Sequence, residues 1–310
     1  MSEVTRSNID YIYGLASAGI GAQGHHTCFA ACLSGLMRSD DGGTSWYSAY
    51  GSVIDYASFP ANAVVVSPDN SNEQLVVAGC AGGFMRATGD CQSWDRINLP
   101  VPLPTVSAMV ISPNVGEDGK IFAATLEAGV FMSSNQGLDW ESCNFGLVDM
   151  NVYSLGISPF FADDETLWAG TSSGIFRTGN AGRAWREIEL PINGFETVLA
   201  ISFSLEYFST GVIYAGTETS GLFYSKNRGL NWLRLFENLI DGAVSVLCPI
   251  KDGLLIVNQG EVKLLRDGGT SCALWQEKAL KEVEVTALCY TSGLQSVLVG
   301  CAGGSFLRFS

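Results

Sequence analysis

Acidic side chains recur just ahead of apolar segments, and they are the residues of this chain best placed to do chemistry. Asp149, Asp241 and Glu282 each stand six residues before a leucine of such a segment. If those segments repeat one structural unit, the three carboxylates lie at one end of the molecule. A pair of carboxylates about 5–10 Å apart can hydrolyse a glycosidic bond. A catalytic pair, a cation site and a patch for a basic partner therefore all stay open, beside the alternative of solvated loop acids.

Apolar connections accompany these acids. The segments 50–59, 99–104 and 145–150 are rich in aromatic, aliphatic and proline residues, and each leads into an apolar segment. Apolar side chains mixed with acids are more typical of a protein-binding surface than of a sugar cleft. Loops that fold down over a channel are the alternative interpretation. The predicted partner-binding residues are Asp55, Asp149, Glu196, Asp241, Glu282, Tyr56, Phe59 and Phe145.

The histidines and cysteines form no predicted metal or catalytic centre. His25 and His26 are the only histidines, and a zinc site needs three or four ligands. Cys32, Cys80 and Cys301 occupy one position in separate repeat units, too far apart to share one ion. Without an export signal, the nine cysteines are expected to be reduced thiols. No metal, cofactor or catalytic residue is predicted.

Composition argues against two classes of partner. The formal net charge is −14 and the 17 basic residues are scattered, whereas nucleic acid requires a basic stripe or groove. No apolar run approaches the roughly 20 residues that span a bilayer, and residues 1–8 lack the apolar core of a signal peptide. We therefore predict a cytoplasmic protein that inserts into no membrane. The charged fraction of 15% is low, which favours either a surface covered by a partner or a large core with little surface.

A tryptophan repeat indicates the elements that must position these residues. Its members are spaced by 48, 46, 45, 47 and 43 residues. They are Trp46, Trp94, Trp140, Trp185, Trp232 and Trp275. A glycine stands eleven residues before each of the first five, between short apolar runs bounded by Gly, Pro, Asn and Asp. Such runs predict strands, and four strands in about 46 residues is the size of one propeller blade.

The repeat predicts an all-β fold, namely a seven-bladed β-propeller of four-stranded antiparallel blades. Innermost strands are expected near Leu15, Val64, Met109, Leu155, Leu199, Leu247 and Leu288. The last unit lacks a fourth strand, and the N-terminal segment around Val4 is predicted to join it, which closes the ring and leaves no open sheet edge. A single domain is expected over 1–310, with blades at approximately 10–50, 60–98, 105–144, 151–190, 196–236, 243–280, and 284–310 plus 1–9.

The turn before each repeated tryptophan carries one motif. Ser39, Asp41, Gly43 and Trp46 fit the pattern S-x-D-x-G-x-x-W. An Asp or Asn side chain in such a turn accepts backbone N–H groups and the glycine supplies a positive φ, while the indole is expected to fill the gap between blades. The sixth turn keeps Asp and Gly but has Cys272 in place of tryptophan. The other motif residues are Asn135, Gly137, Trp140, Asn180, Gly182, Trp185, Asn227, Gly229, Trp232, Asp267 and Gly269.

On these motifs the chain resembles the BNR-repeat or Asp-box propellers, which include sialidases, sortilin-type receptors and photosystem II assembly-factor-like proteins. The resemblance covers nearly the whole chain and implies the fold, because the boxes lie away from the sites that such propellers use. A sialidase site needs three clustered arginines. Arg38, Arg86 and Arg177 align instead on third strands toward the rim, so we reject sialidase activity.

Taken together, the residues favour an interaction protein. We predict a non-enzymatic scaffold, or an assembly-factor-like subunit of a larger complex, that binds a protein with a basic or apolar surface through the loops at the channel mouth. The alternative is a glycan-binding or glycoside-hydrolysing propeller with paired carboxylates. Whether the chain is an enzyme therefore stays open.

Overall fold

The chain folds into short strands because its apolar runs are brief and are separated by turn-forming residues. The computed structural model describes residues 10–20, 26–51, 59–68, 74–98, 104–266, 271–275, 277–280 and 282–310. Within these residues the strands form seven antiparallel sheets, six of four strands and one of three. We number the sheets as blades along the chain, and the strands of each blade run from the innermost to the outermost.

The first four blades contain the following strands. They are β1 (Ile12–Ile20), β2 (His26–Cys32), β3 (Gly35–Ser39) and β4 (Tyr47–Ser48); β5 (Ala61–Val66), β6 (Leu75–Cys80), β7 (Gly83–Thr88) and β8 (Asp95–Asn98); β9 (Val106–Ile111), β10 (Ile121–Thr125), β11 (Gly129–Ser133) and β12 (Glu141–Ser142); β13 (Val152–Ile157), β14 (Leu167–Thr171), β15 (Ile175–Thr178) and β16 (Arg186–Ile188).

The remaining blades follow the same order. Their strands are β17 (Val198–Phe203), β18 (Ile213–Thr217), β19 (Leu222–Ser225) and β20 (Leu233–Leu235); β21 (Val244–Ile250), β22 (Gly253–Asn258), β23 (Glu261–Arg266) and β24 (Ser271–Leu274); β25 (Val285–Thr291), β26 (Ser296–Cys301) and β27 (Phe306–Phe309). The helices are single turns, α1 (Val115–Asp118), α2 (Phe161–Asp164), α3 (Tyr207–Thr210) and a 3-10 turn at Lys278–Leu280.

The innermost strands form the inner wall of a closed ring. Each of them contacts the innermost strand of the next blade, and β25 of the seventh blade contacts β1 of the first. The seven-bladed propeller predicted from the repeat is therefore confirmed. The seventh blade has three strands among the described residues, and the strand predicted around Val4 lies outside them.

Antiparallel pairing sorts the connections onto two ends of the propeller. One end, which we call the loop face, carries the hairpins between second and third strands and the connections between blades, such as residues 143–151, 189–197 and 236–243. The opposite end, the box face, carries helices α1 to α3 and the motif turns, such as residues 134–140 and 226–232.

The core lies between the blades and is made mainly by the second strands. All residues of β6, β10 and β14 are buried. A glycine near the end of three second strands lets the next blade approach closely. A Cβ on Gly170 would lie 2.5 Å from the Val198 carbonyl oxygen, and one on Gly216 would lie 2.4 Å from that of Val244. In the same way, a Cβ on Gly79 would lie 2.4 Å from the Val106 side chain, so any larger residue there forces the blades apart.

Candidate functional site

The motif turn of the first blade is held by hydrogen bonds around one carboxylate, that of Asp41. Asp41 Oδ1 accepts hydrogen bonds from the backbone N–H groups of Thr44 and Ser45, both at 2.9 Å, and from Ser39 Oγ at 2.8 Å. Ser39 Oγ in turn accepts from the backbone N–H of Gly43 at 2.8 Å. Burial raises the pKa of Asp41, but the donors outweigh burial and hold this pKa at about 2. Hydrogen bonds between its own residues therefore hold this turn.

Asparagine side chains accept backbone hydrogen bonds in the same way in three later turns. The side-chain oxygens of Asn135, Asn180 and Asn227 each accept a backbone N–H four residues later at 2.9 Å. The glycines of these turns have the positive φ expected of them. Gly137, Gly182 and Gly229 lie at φ +86°, +82° and +78°. The third turn differs in one respect, because Asn135 Nδ2 also donates to Asp139 at 2.8 Å. The sixth turn, with Asp267 and Gly269, lies outside the described residues.

The tryptophans of the motif turns contact the preceding blade. Trp46 stacks on Phe306 of the seventh blade with ring centroids 4.2 Å apart, and Trp140 stacks on Phe84 at 4.0 Å. Trp94 Nε1 donates to the Ala49 carbonyl at 3.0 Å and Trp185 Nε1 to the Cys143 carbonyl at 2.7 Å. Trp232 contacts Trp168 edge-on at 5.7 Å. These residues therefore join the blades of the ring.

Two of the predicted loop acids are fastened to their own blades. Glu196 is buried and accepts hydrogen bonds from the backbone N–H of Thr219 at 2.8 Å, from Thr219 Oγ1 at 2.7 Å and from Ser220 Oγ at 2.5 Å. Asp149 accepts from Ser172 Oγ at 2.6 Å and from the backbone N–H of Asn151 at 2.9 Å. Burial raises the pKa of each carboxyl, but these donors lower it below its usual value. Both groups are therefore ionised at neutral pH.

These bonds form a repeated device that holds the loop face. In each case an acid that precedes an innermost strand reaches the hairpin between the second and third strands of the same blade. Asp149 and Glu196 are 23 residues from the serine and threonine that they contact. Asp10, which was not predicted as a site residue, makes the same contact with Ser34 at 2.6 Å across 24 residues. The first role of these acids is therefore to position the loops, and the charge that they add to the surface is a second role.

The other predicted residues have different surroundings. Asp241 is exposed, and its Oδ1 accepts from Gln259 Nε2 at 3.4 Å. Glu282 is exposed on the loop face. Phe59 is half-buried, with the Arg96 guanidinium 4.7 Å from its ring centroid. Asp55 and Tyr56 lie outside the described residues. Asp149, Glu196 and Asp241 lie in consecutive connections on the loop face, and each bonds within its own blade.

Exposed apolar side chains occupy the same three connections. Phe145 and Val148 are 79% and 78% exposed between the third and fourth blades. Phe195 is 85% exposed between the fourth and fifth blades, and Leu239 is 57% exposed between the fifth and sixth. We call these four residues the apolar arc. Phe145 was predicted as a partner-binding residue, whereas Phe195 and Leu239 were not. The signal that could have found them is their position beside the predicted acids Glu196 and Asp241.

Cys80, Cys301 and His26 are buried side chains. Cys80 and Cys301 are buried free thiols, and burial raises the pKa of each, that of Cys80 to about 11. His26 is buried as well, and burial together with Arg308 lowers its pKa. In the part of the chain that the structure describes, no three His, Cys, Asp or Glu residues are grouped so that they could hold a metal ion. The thiols of Cys80 and Cys301 therefore behave as apolar core groups.

No family model and no curated protein sequence matches the chain. Solved structures match it over nearly its whole length. YCF48 bound to a D1 peptide has a TM-score of 0.71 and 17% identity, covering 98% of this chain and 94% of YCF48. The GH74 enzyme of Niastella koreensis has a TM-score of 0.75 and 13% identity, covering 96% of this chain and 52% of the enzyme. The extracellular domain of BT4673 from B. thetaiotaomicron has a TM-score of 0.71 and 14% identity, covering 98% and 38%.

These similarities concern the fold. The chain spans 52% of the enzyme and 38% of the extracellular domain, but nearly all of YCF48. One neighbour is an extracellular domain, so the predicted cytoplasmic location gains no support and stays a prediction. Among the described residues, no helix is long and apolar enough to cross a membrane. The chain is thus similar in fold to propellers that differ widely in function.

Proposed function

We propose that this propeller is a protein-interaction scaffold that binds its partner through the loop face. The observation that carries the proposal is the apolar arc. Its side chains come from three consecutive connections between blades, and three of the four are more than three-quarters exposed. Large apolar side chains that are exposed in neighbouring connections and flanked by acidic groups are typical of protein–protein contacts, whereas single scattered ones are ordinary.

The apolar arc is large enough to supply binding energy. Removing a phenylalanine or valine side chain from water contributes about 1.5–3 kcal/mol. Phe145, Val148 and Phe195 together therefore offer roughly 5–9 kcal/mol before the costs of association are subtracted. Aromatic residues are enriched among the few that dominate interface energies. Phe145 and Phe195 are accordingly the residues whose loss should weaken the complex most.

The loop acids support the same function in two ways. The hydrogen bonds that Asp149 and Glu196 accept hold the loops that present Val148 and Phe195, so less ordering is required when a partner binds. Their ionised carboxylates, together with exposed Asp241, add negative charge beside the apolar side chains. A partner with an apolar patch flanked by lysine or arginine is complementary to such a surface.

The structural neighbours support this proposal in part. A propeller of the same fold, YCF48, is described with a bound peptide. The GH74 neighbours favour the glycan alternative, which requires two carboxylates facing a cleft. Glu196 and Asp149 instead accept hydrogen bonds from the hairpins of their own blades. We therefore prefer protein binding to glycoside hydrolysis.

Affinity capture from the native cell with two matched triple variants tests this function. The first variant replaces Phe145, Val148 and Phe195 by serine. The control replaces three side chains of the box face by serine, namely Leu138, Leu205 and Phe208, which are 48%, 56% and 77% exposed. We expect a stoichiometric partner in the wild-type and control captures and at least a tenfold lower yield with the loop-face variant.

Circular dichroism and thermal denaturation of both variants provide the folding control. If the loop-face variant is folded and still captures its partner in full, the apolar arc is not the binding surface. Loss of the partner from the box-face variant alone would contradict the proposal as well, because it would move the interface to the other end of the propeller.

A further inference from the structure

Three side chains form a row across the fourth blade. Trp168 on β14 is paired with Arg177 on β15, which is paired with Arg186 on β16. Directly paired residues of an antiparallel sheet point to the same face. That face is turned toward the fifth blade, because Trp168 contacts Trp232 with ring centroids 5.7 Å apart. The two arginines therefore face the gap between the fourth and fifth blades.

The first and second blades have an arginine at the position of Arg177, and each has its own counter-charge. Arg38 Nε donates to Asp40 Oδ1 at 2.8 Å. Arg86 Nε donates to the Gln136 carbonyl at 2.7 Å, and its guanidinium lies 3.8 Å from Asp95, which occupies the paired position on the outermost strand. In the fourth blade the paired position on the outermost strand holds a second arginine.

The arginines of the fourth blade lack such partners. Arg177 Nη2 donates to Thr166 Oγ1 at 3.3 Å, but its Nε is buried with no hydrogen-bond partner among the described residues. Burial lowers the pKa of Arg177, and the neighbouring Arg186 lowers it further. Asp164 also acts on Arg177, but its carboxylate accepts from Ser158 Oγ at 2.7 Å and from the Thr166 N–H at 2.9 Å. Arg186 is exposed, and no described carboxylate lies within 4.0 Å of its guanidinium.

Two indole N–H groups in the same gap are also unpartnered. Trp168 and Trp232 are more than nine-tenths buried, and neither Nε1 atom has an acceptor among the described residues. At the matching contacts between other blades, Trp94 and Trp185 donate to carbonyls of the preceding blade. Leaving a buried donor unsatisfied costs about 1–3 kcal/mol, so an acceptor placed beside these three donors would stabilise the fold.

The gap opens into a groove of suitable size. Its volume is about 560 Å³, and its lining includes Arg186, Ile188, Leu190, Leu230 and Trp232. Glu187 of β16 and Glu189, which follows the strand, also line the groove, and strand alternation turns Glu187 to the opposite side from Arg186. The groove thus combines an apolar wall with a guanidinium and a buried indole donor, and no described counter-ion is paired with Arg186.

We propose that the groove between the fourth and fifth blades binds a small oxyanion, a phosphate or a carboxylate group. Arg186 supplies the positive charge at the groove, Arg177 adds to it from the paired position on β15, and Trp232 Nε1 supplies a further donor. Guanidinium groups bind planar carboxylates and phosphates with paired, charge-assisted hydrogen bonds. The bound anion replaces the counter-charge that Asp40 and Asp95 provide in the first two blades. This site is separate from the apolar arc and does not depend on the proposed protein-binding function.

Thermal denaturation in matched salts tests the site. We expect inorganic phosphate, sulfate or acetate, but not chloride at equal ionic strength, to raise the Tm by about 2–4 °C at ten times its Kd. A rise with phosphate and sulfate alone assigns a tetrahedral anion, and a rise with acetate alone assigns a carboxylate. If none of the three anions raises the Tm, the proposal is refuted.

The variant Arg186→Asp makes the test specific. It rebuilds the arrangement of the second blade, where an aspartate is paired with the arginine, so we expect a higher Tm without anion and no response to phosphate. Arg183→Gln is the control, because Arg183 is exposed and is paired with Glu165 at 3.2 Å. An equal phosphate response in Arg186→Asp and in the wild type would contradict the assignment.

Nitrogen-15 NMR gives a second readout that does not depend on stability. The indole N–H signal of Trp232, assigned with the variant Trp232→Phe, should shift downfield as phosphate is added and a hydrogen bond forms. The Trp94 signal should not move, because its N–H already donates to the Ala49 carbonyl at 3.0 Å. Uniform shifts of both signals would indicate a general salt effect and would refute the site.

Discussion

Replacing Glu196 by alanine removes the carboxylate that holds the hairpin between the second and third strands of the fifth blade. Three donors lose their acceptor, one backbone N–H and two hydroxyls, on Thr219 and Ser220. Hydrogen bonds to a charged group contribute about 1.5–3 kcal/mol each, and bonds to a shared acceptor are not additive. We therefore expect Glu196→Ala to lower the free energy of unfolding by about 3–4 kcal/mol at pH 7.

Urea denaturation followed by tryptophan fluorescence measures this change. The matched control is Glu218→Ala, which removes an exposed carboxylate next to the same hairpin and should change the free energy of unfolding by less than about 0.5 kcal/mol. Equal losses in the two variants would refute the reasoning, because they would show that the buried hydrogen bonds of Glu196 contribute nothing beyond surface charge.

The pH dependence of stability tests the contribution of Glu196 in a second way, because the direction of the change can be predicted. Burial raises the pKa of Glu196, but the bonds from Ser220 and Thr219 hold it below its value in the unfolded chain. Its contribution to stability is therefore complete above the unfolded pKa of about 4.3 and is lost as the pH falls through the folded pKa. Below pH 4 the stability difference between the wild type and Glu196→Gln should shrink. A difference that stays constant from pH 7 to pH 3 would contradict this linkage.

The remaining predictions concern backbone turns. Gly229→Ala places a Cβ 2.1 Å from an indole ring at φ +78° and should cost about 3 kcal/mol or more. Gly194→Ala, at φ +92° in open space, should cost only about 1–2 kcal/mol; equal losses on urea denaturation would exclude the indole contact as the cause. Asn227→Asp should leave the Tm unchanged or raise it slightly. Asn135→Asp should lower stability by about 1–2 kcal/mol, because its amide donates to a carboxylate at 2.8 Å, and a Tm equal to that of Asn227→Asp would contradict this.

The repeat made the fold and the motif turns predictable from the sequence. A tryptophan every 43–48 residues, with a glycine at a constant distance before the first five, is enough to count blades, because each blade must repeat the same strand lengths to close a ring. The turn motif fixes its own geometry through local hydrogen bonds, such as those of Asp41 with residues three and four positions later. Such short-range hydrogen bonds can be predicted from the local sequence without any knowledge of the rest of the chain.

The surface was harder to predict because exposure depends on contacts between distant residues. Phe195 lies next to the buried carboxylate of Glu196, which is the reverse of what their polarity suggests. The inversion arises because Glu196 finds its donors 23 and 24 residues later. That spacing recurs with Asp149 and Asp10, so a search for an acid about 23 residues before a serine or threonine would have revealed the device.

The groove between the fourth and fifth blades was missed for a similar reason. Arg177 was recognised as a rim residue, but its lack of a partner follows from strand register. Only the pairing of β15 with β16 shows that Arg186 stands where the second blade has Asp95. A one-residue shift of that short outermost strand would turn Arg186 to the other face of the blade.

Hydrogen–deuterium exchange on the captured complex tests the central claim, protein binding through the loop face, most directly. The comparison is between the free propeller and the same protein with its partner bound. We predict slower exchange in residues 143–151 and 192–197, which carry most of the apolar arc, and unchanged exchange in residues 204–210 and 226–232 of the box face. Protection confined to the box face, with no change in the apolar arc, would contradict the account.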